Sequence, residues 1–189
     1  MIITFTYKID QDISLALPRP KLDAKPFLEL IDRNRKELTK WLWSGTTEEE
    51  IGTIDEEEAF LSAVLQDFGR TKSLYLLIWY KNNLVGTTGF NQFNKINKSA
   101  ELGYVLDTQF SGKGIIHKSI LGLCSLGFTE YDIHKIEIYT AVDNQKSNKV
   151  AQKAGFHLDG VLREHELLQD GFHDDNVWSL LKDDWKAKR

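Results

Sequence analysis

Gln109-Phe110-Ser111-Gly112-Lys113-Gly114 follows one apolar run and opens another, and how it is read decides the fold. Residues without a Cβ let backbone N–H groups approach an anion, and the start of a following helix adds unpaired donors and the positive end of its dipole. A plain tight turn is the competing reading of the same residues. Upstream, Leu102-Gly103-Tyr104-Val105-Leu106 lies between Glu101 and Asp107 and has the make-up of a strand buried on at least one face. Downstream, Ile116, Ile120, Leu123, Cys124 and Phe128 recur at spacings of three and four, which predicts a helix from Ile115 to Phe128 with one stripe against a sheet. Ile136 to Ala141 alternates and is rich in β-branched and aromatic residues, so it predicts a second strand. Strand, helix and strand make a parallel crossover, with the glycine loop at the end of its first strand.

Two common phosphate motifs do not fit. A dinucleotide fingerprint needs a third glycine where this chain has His117, and a nucleoside-triphosphate loop needs Gly-Lys-Ser/Thr where Lys113 is followed by Gly114 and Ile115. A cofactor that carries a pyrophosphate but uses neither motif stays open, and coenzyme A is the common one.

At these positions the chain resembles the GNAT superfamily of acetyl-CoA-dependent N-acetyltransferases, whose phosphate loop runs Gln/Arg-x-x-Gly-x-Gly/Ala; Gln109, Gly112 and Gly114 match it. Asn144-Gln145-Lys146-Ser147, followed by Ala154-Gly155-Phe156, is similar to the Asn-x-x-Ser helix start and Gly-Phe ending of that superfamily. Ser99 to Tyr104, and Arg163-Glu164-His165-Glu166 through Trp178-Ser179-Leu180-Leu181, resemble the RimJ/RimL branch, which acetylates protein N-termini. The resemblance covers nearly the whole chain, is clearest from Leu84 to Trp185 and is vaguest between Gly45 and Ile54. Ile116 stands where many relatives have a smaller residue, and Trp43 and the acidic run near Glu48 are not motif positions. The resemblance implies an α/β (α+β) fold: a mixed, mostly antiparallel sheet of about seven strands, flanked by helices, with a splayed parallel pair at the cofactor site.

It also implies roles for particular residues. Gln109, Ser111, Gly112, Lys113, Gly114 and Ile115 would surround the pyrophosphate of acetyl-CoA, with Lys113 either a point charge near phosphate or solvent-facing. The backbone of Tyr104, Val105 and Leu106 would pair with the pantetheine arm as an added strand does. Ser147 would protonate or hydrogen-bond the departing sulfur, with Asn144 ordering the pantetheine or the loop; a cap at a helix start is the structural reading, and the two are compatible. Glu166 is the first candidate for the base, because its position after Ser147 resembles that of a carboxylate proposed for the ribosomal-stalk-protein acetyltransferase of this branch. Glu101 is the second, and an ordinary salt-bridged or solvated carboxylate is the alternative for each. An α-amine of pKa about 8 is roughly a tenth neutral at pH 7, whereas a lysine amine near 10.4 is neutral about once in a few thousand, so an N-terminal acceptor asks little of its base. A small-molecule amine (polyamine, amino sugar or antibiotic) is the nearest alternative acceptor, and a noncatalytic acyl-CoA-binding or sensing module is the alternative from another class.

The N-terminal half reads as strand, helices and hairpin. Ile13 to Leu17 predicts a first strand ended by Pro18 and Pro20, and Phe27, Leu30, Ile31, Leu38 and Leu42 predict two short helices broken near Asn34. Thr53 or Asp55 can cap a helix that runs through Leu61 and Phe68 to Gly69. Tyr75 to Tyr80 and Leu84 to Phe90, joined by Lys81-Asn82-Asn83, predict a β-hairpin. In the resembling family these first helices wall the acceptor cleft, so Trp41 and Trp43 either line it or belong to the core.

The 189 residues, 41% hydrophobic with three prolines, suit one core, so residues 1–189 are expected to form a single domain. The single Cys124 excludes an intramolecular disulfide, reads as a buried inert thiol and fits a reducing cytoplasm. Met1 to Asp12 lacks a basic start with an apolar core, and no run approaches the roughly 20 residues that span a bilayer, so neither export nor membrane insertion is expected. A net charge of −4 disfavours generic nucleic-acid binding and suits a cationic amine. The acidic clusters Glu48-Glu49-Glu50 and Asp55 to Glu58 read as a solvated helix start. His165 and His173, near Asp174 and Asp175, match no zinc spacing, so no metal is expected; a homo-oligomer is in keeping with the branch.

Overall fold

Twelve residues lie between Gly89 and Leu102, yet the strands that hold them lie side by side, because local hairpins build most of the sheet. The computed structural model describes residues 5–42 and 52–187. In chain order its strands are β1 (Thr6–Lys8), β2 (Ile13–Ala16), β3 (Leu74–Tyr80), β4 (Asn83–Asn94), β5 (Ser99–Leu106), β6 (Lys135–Ala141), β7 (His157–Leu168) and β8 (Gly171–Leu181). Its helices are α1 (Pro20–Trp41), α2 (Ile54–Gly69), α3 (Ile115–Glu130), α4 (Gln145–Lys153) and α5 (Lys182–Ala187). Among the described residues the sheet has eight strands in the order β1-β2-β3-β4-β5-β6-β8-β7, every pair antiparallel except β5 with β6.

Alternation on β3 shows how the layers form. Leu74, Leu76 and Ile78 pack with α3, α4 and α5 in the larger core, while Leu77 faces Phe27 and Leu30 of α1 and Leu61 of α2 in the smaller one. Both faces of the central strand are therefore covered. The β3–β4 turn places Lys81 and Asn82 at positive φ, the left-handed pair that a tight hairpin needs. A capping box closes the start of α2: Thr53 Oγ1 accepts from the Glu56 N–H, and Glu56 Oε2 accepts from the Thr53 N–H.

Two sequence expectations change here. The sheet has eight strands rather than about seven, because the three residues of β1, too short to show a period, extend it by pairing with Ser14 to Ala16. The two helices expected between Leu22 and Leu42 are the single helix α1. Asn34 does not break it: its Nδ2 donates to the Leu30 carbonyl one turn back, and the side chain is buried. Trp43 and the Glu48-Glu49-Glu50 cluster lie outside the described residues.

The feature that positions the site is a wedge. Strand β5 pairs with β6 only at Ser99–Lys135, Ala100–Ile136 and Glu101–Glu137, yet β5 runs on to Leu106 and β6 to Ala141. Each stays paired on its outer side, β5 to β4 and β6 to β8, so beyond Glu101 and Glu137 the facing edges diverge. Backbone groups along that opening are free to take an extended ligand as an added strand.

Candidate active site

The glycine loop stands at the mouth of the wedge. Gly112 and Gly114 have φ of 79° and 74°, the left-handed conformation that side chains resist, and a Cβ at either would meet no atom within 4 Å. Gly114 is the N-cap of α3 and supplies no side-chain cap, which leaves the first-turn N–H groups of a 16-residue helix turned to the loop. Gln109, Ser111 and Lys113 are exposed around it, whereas the Ile115 side chain is buried in the core, so only its backbone can face a ligand. The Lys113 ammonium sits 4.8 Å above the Phe110 ring and 5.9 Å from the Tyr80 ring.

Helix α1 holds this loop from behind. Arg33 Nε donates to Asp107 Oδ2 at 2.6 Å, and Asn34 Oδ1 accepts from Thr108 N at 2.9 Å and Thr108 Oγ1 at 3.0 Å. Asp107 is wholly buried and caps the short 3₁₀ turn Thr108–Phe110 by accepting from the Gln109 N–H. Burial pushes its carboxyl up, but Arg33 and the Gln109 N–H outweigh that and leave it below the ordinary aspartate value. Farther along α1, Glu37 pairs with Lys146 of α4 at 2.7 Å, so the helix spans from the loop to the far side of the wedge. Trp41, half-buried at its end, lies under the Lys40 ammonium at 4.6 Å.

On the α3 side of the sheet, the start of α4 meets β5. Asn144 is the N-cap of α4 and accepts from the Ser147 N–H at 3.1 Å; the structure gives it the capping role. The Tyr104 hydroxyl donates to the Ser147 carbonyl at 3.1 Å and lies 2.8 Å from Ser147 Oγ. Burial pushes the Tyr104 phenol up to about 12, opposed by the bond to Ser147, so it keeps its proton at neutral pH.

The opposite face carries carboxylates. Residues directly opposite in register share a face, and Glu101 lies opposite Glu137, Ala141 opposite Asp175, and Glu166 opposite His173. Lys135 binds Glu137 at 2.9 Å and Asp159 at 3.0 Å, which offsets part of the negative charge at that corner. Glu101 Oε1 accepts from Asn91 Nδ2 at 2.8 Å. Burial pushes the Glu166 carboxyl up, Asp175 adds to the rise, His165 and His173 oppose it, and Glu101 adds a smaller push. The two expected carboxylates are thus in one electrostatic cluster, across the sheet from Ser147.

Arg33, Asn34, Asp107, the Tyr104 hydroxyl and the His165–Asp175 pair were not legible as site residues. Asn34 carries a signal, since it occupies an apolar-stripe position four residues after Leu30 and four before Leu38. His165 Nδ1 lies 2.8 Å from Asp175 Oδ2, and His173 Nε2 lies 2.8 Å from Asp170 Oδ1. Among the described residues no three His, Cys, Asp or Glu side chains are grouped to hold a metal.

An open strand edge running from a glycine cradle to a half-buried hydroxyl pair fits a long extended cofactor with a pyrophosphate, as coenzyme A has, and the acidic face fits an amine. This arrangement defines a coenzyme A-dependent acyltransferase that acts on amines. The comparisons agree. The acetyltransferase (GNAT) domain family matches residues 13–157. The chain is similar to the ribosomal-protein-serine acetyltransferase of Escherichia coli (strain K12), 30% identical over 182 residues that cover 96% of this chain and 99% of that one. It superposes on the solved structure of RimL, a ribosomal L7/L12 alpha-N-protein acetyltransferase in complex with coenzyme A, with a TM-score of 0.88 at 26% identity, covering 95% of this chain and 99% of that one. A spermidine N(1)-acetyltransferase of Vibrio cholerae is similar at 25% identity over 148 residues, 78% of this chain and 82% of that one. The chain belongs to the GNAT acetyltransferases and is an acetyl-CoA-dependent N-acetyltransferase.

Proposed function

We propose that this enzyme acetylates the α-amine of a protein or peptide N-terminus, of the ribosomal-protein type, by direct transfer. The observation that carries the proposal is the wedge with its two unlike walls: hydroxyls of Ser147 and Tyr104 on one face, carboxylates of Glu166 and Glu101 on the other. The near full-length similarity to a ribosomal-protein-serine acetyltransferase supports the acceptor class.

Acetyl-CoA, when bound, supplies an acyl group activated as a thioester. The residues around it have separable tasks. Backbone N–H groups of Gly112, Gly114 and Ile115 hold the pyrophosphate, with Gln109, Ser111 and Lys113 at its rim, and Tyr104, Val105 and Leu106 offer their free backbone edge to the pantetheine. Asn144 fixes the first turn of α4 and so sets the Ser147 hydroxyl, which with Tyr104 returns a proton to the departing sulfur. Glu166, first, and Glu101, second, receive the ammonium and draw off its proton. Orientation of amine against thioester supplies most of the acceleration, and proton transfer on the order of 100-fold or more. In this proposal residues 1–189 act as one domain in the cytoplasm, where free protein N-termini are made, and need neither nucleic acid nor membrane. Among the described residues no helix is long and apolar enough to cross a membrane.

The test is a panel of acceptors read by thiol release and mass spectrometry: peptides with free Ser or Ala N-termini, the same peptides Nα-blocked but carrying lysine, spermidine, and amino sugars. Turnover of free N-termini at least tenfold above the others is expected. Faster turnover of spermidine or an amino sugar would overturn the acceptor assignment in favour of a small-molecule amine.

A further inference from the structure

Strand β7 departs from its partner at one place that matters. Between Leu162, opposite Asp175, and Glu166, opposite His173, it carries three residues where β8 carries only Asp174. The excess is taken up by a bulge in which Glu164 adopts φ of 49° and its N–H donates to Asp174 Oδ1 at 2.8 Å. The bulge turns His165 onto the acidic face, where its Nδ1 meets Asp175 Oδ2 at 2.8 Å and its ring stacks on Tyr139 of β6, centroids 5.3 Å apart and planes 25° apart.

The two partners differ sharply in exposure. The Asp175 side chain is 2% exposed and that of His165 is 45% exposed. Asp175 Oδ1 is buried with no hydrogen-bond partner among the described residues, so the imidazole is the group this carboxylate serves. An ionised aspartate that accepts from Nδ1–H fixes the tautomer and leaves Nε2 as a lone-pair acceptor on the open side of the ring. Glu166 beside it on β7 feels the charges of His165, Asp175, His173 and Glu101, and Tyr139, on which the ring stacks, feels those of Glu137, Glu101, Lys135 and Asp159.

We propose that His165 Nε2 takes the proton of the acceptor amine, with Asp175 as the positioning residue that holds the ring and Glu166 and Glu101 holding the ammonium in place. This deepens the acceptor reading above and rests on it, and it moves to His165 the proton-accepting role given there to Glu166, leaving the carboxylates to receive the ammonium. An ammonium must lose two protons for each amide formed. The first passes to Nε2 and leaves to solvent from the exposed edge of the ring. The freed nitrogen pair forms the C–N bond to the acyl carbon, the C–S bond breaks with its pair on sulfur, and the second nitrogen proton balances the one sulfur gains from the Ser147–Tyr104 side. Imidazole suits this work because its ordinary pKa is near 6.5, closer to that of an α-amine than a carboxylate is.

The experiment compares wild type, His165→Gln, His165→Ala, Asp175→Asn and Glu166→Gln on a free N-terminal peptide, with acetyl-CoA affinity measured by calorimetry as the check on folding. His165→Gln should lower kcat about 100-fold with peptide KM changed by less than about threefold. Added imidazole should restore part of the rate in His165→Ala. Glu166→Gln should act mainly on KM. A kcat within threefold of wild type for His165→Gln, alongside a deep loss for Glu166→Gln, would overturn the assignment and make Glu166 the base. A second readout needs no turnover: ¹⁵N NMR of the ring at pH 8 should show the Nδ1–H tautomer in wild type and its loss in Asp175→Asn. Finding Nε2 protonated in wild type would overturn the proposal as well. Failure of wild type to acetylate any N-terminal peptide would instead remove the acceptor reading, and the ring spectrum would still decide whether the pair is built as described.

Discussion

Replacing Asn34 by Ala should loosen the phosphate loop from a position behind it on helix α1. Asn34 is 3% exposed and its side chain makes three hydrogen bonds: one back to the Leu30 carbonyl and two from Thr108, at the start of the turn before the glycines. Thr108 is exposed, so its freed groups can turn to water, and each lost bond is worth the net value of about 0.5–1.5 kcal/mol rather than a full desolvation penalty. The two Thr108 bonds then account for about 1–3 kcal/mol, the Leu30 bond for somewhat less, and the better helix propensity of Ala gives back about 0.6 kcal/mol. A net loss of about 1–3 kcal/mol lowers Tm by about 2–12 °C for a chain of this size.

The loop must be put back in register when a pyrophosphate binds. If about 1–2 kcal/mol of the Thr108 share is restored on binding, Kd for acetyl-CoA rises about 5- to 30-fold. Calorimetric titration at 25 °C, where the variant is still folded, gives Kd, and differential scanning gives Tm. Glu37→Ala is the control: it removes another α1 contact, the exposed pair with Lys146, and should change Tm by no more than about 4 °C and leave Kd unchanged, because such pairs are worth about 0–1 kcal/mol. A lower Tm with unchanged Kd would refute the coupling between α1 and the loop. An unchanged Tm would refute the bond network itself.

Gly112→Val should weaken acetyl-CoA binding at least tenfold in the same titration. The added side chain meets no atom, so the cause is the left-handed backbone, which a β-branched residue leaves at a cost of about 1–3 kcal/mol. Tyr104→Phe and Ser147→Ala should each lower kcat about tenfold or more, and the double variant should be no worse than the poorer single one, since the two hydroxyls act as one unit; additive losses in a double-mutant cycle would argue that they work separately. Glu166→Gln should raise Tm at pH 8 while lowering activity. The folded-state carboxyl is pushed up, so the wild type loses stability as pH rises from the unfolded value near 4.3 through the folded one, and the Tm difference should vanish below that window. A Tm difference independent of pH would mean that the carboxylate charge is not what the fold resists.

Periodicity and punctuation carried most of the fold. The α3 stripe, the β3–β4 hairpin and the Thr53 cap each depend on neighbours in sequence, and each was legible for that reason. The β1 strand was not, because three residues show no period and its pairing is set by the β2 it folds back on. Asn34 misled for the opposite reason. A polar residue in an apolar stripe reads as a break when its partner, Thr108, is 74 positions away. At the site, glycines and the Asn-x-x-Ser start were legible because they shape the local backbone, and they sit where the pattern puts them. The Tyr104 hydroxyl and the His165–Asp175 pair depend on contacts between different elements, which one sequence does not display.

Three irregular points of the sheet carry chemistry, and this has a physical cause. A regular ladder satisfies its backbone with itself and aims alternate side chains at fixed spacings. Here three departures flank the same opening. Register shifts between Phe90 and Gln92, and the bulged Asn91 turns its amide to hold Glu101. Pairing between β5 and β6 stops at Glu101 and Glu137, which frees strand edge for an extended ligand. The β7 bulge then brings His165 to a buried aspartate on β8. Each departure costs ladder hydrogen bonds that a packed sheet could have kept, and each places a polar group where a straight strand would have aimed it elsewhere. Straightening β7 by deleting Arg163 and Glu164, the two residues in excess of β8, would return hydrogen bonds to the sheet and take the imidazole off Asp175, so stability and turnover should move in opposite directions.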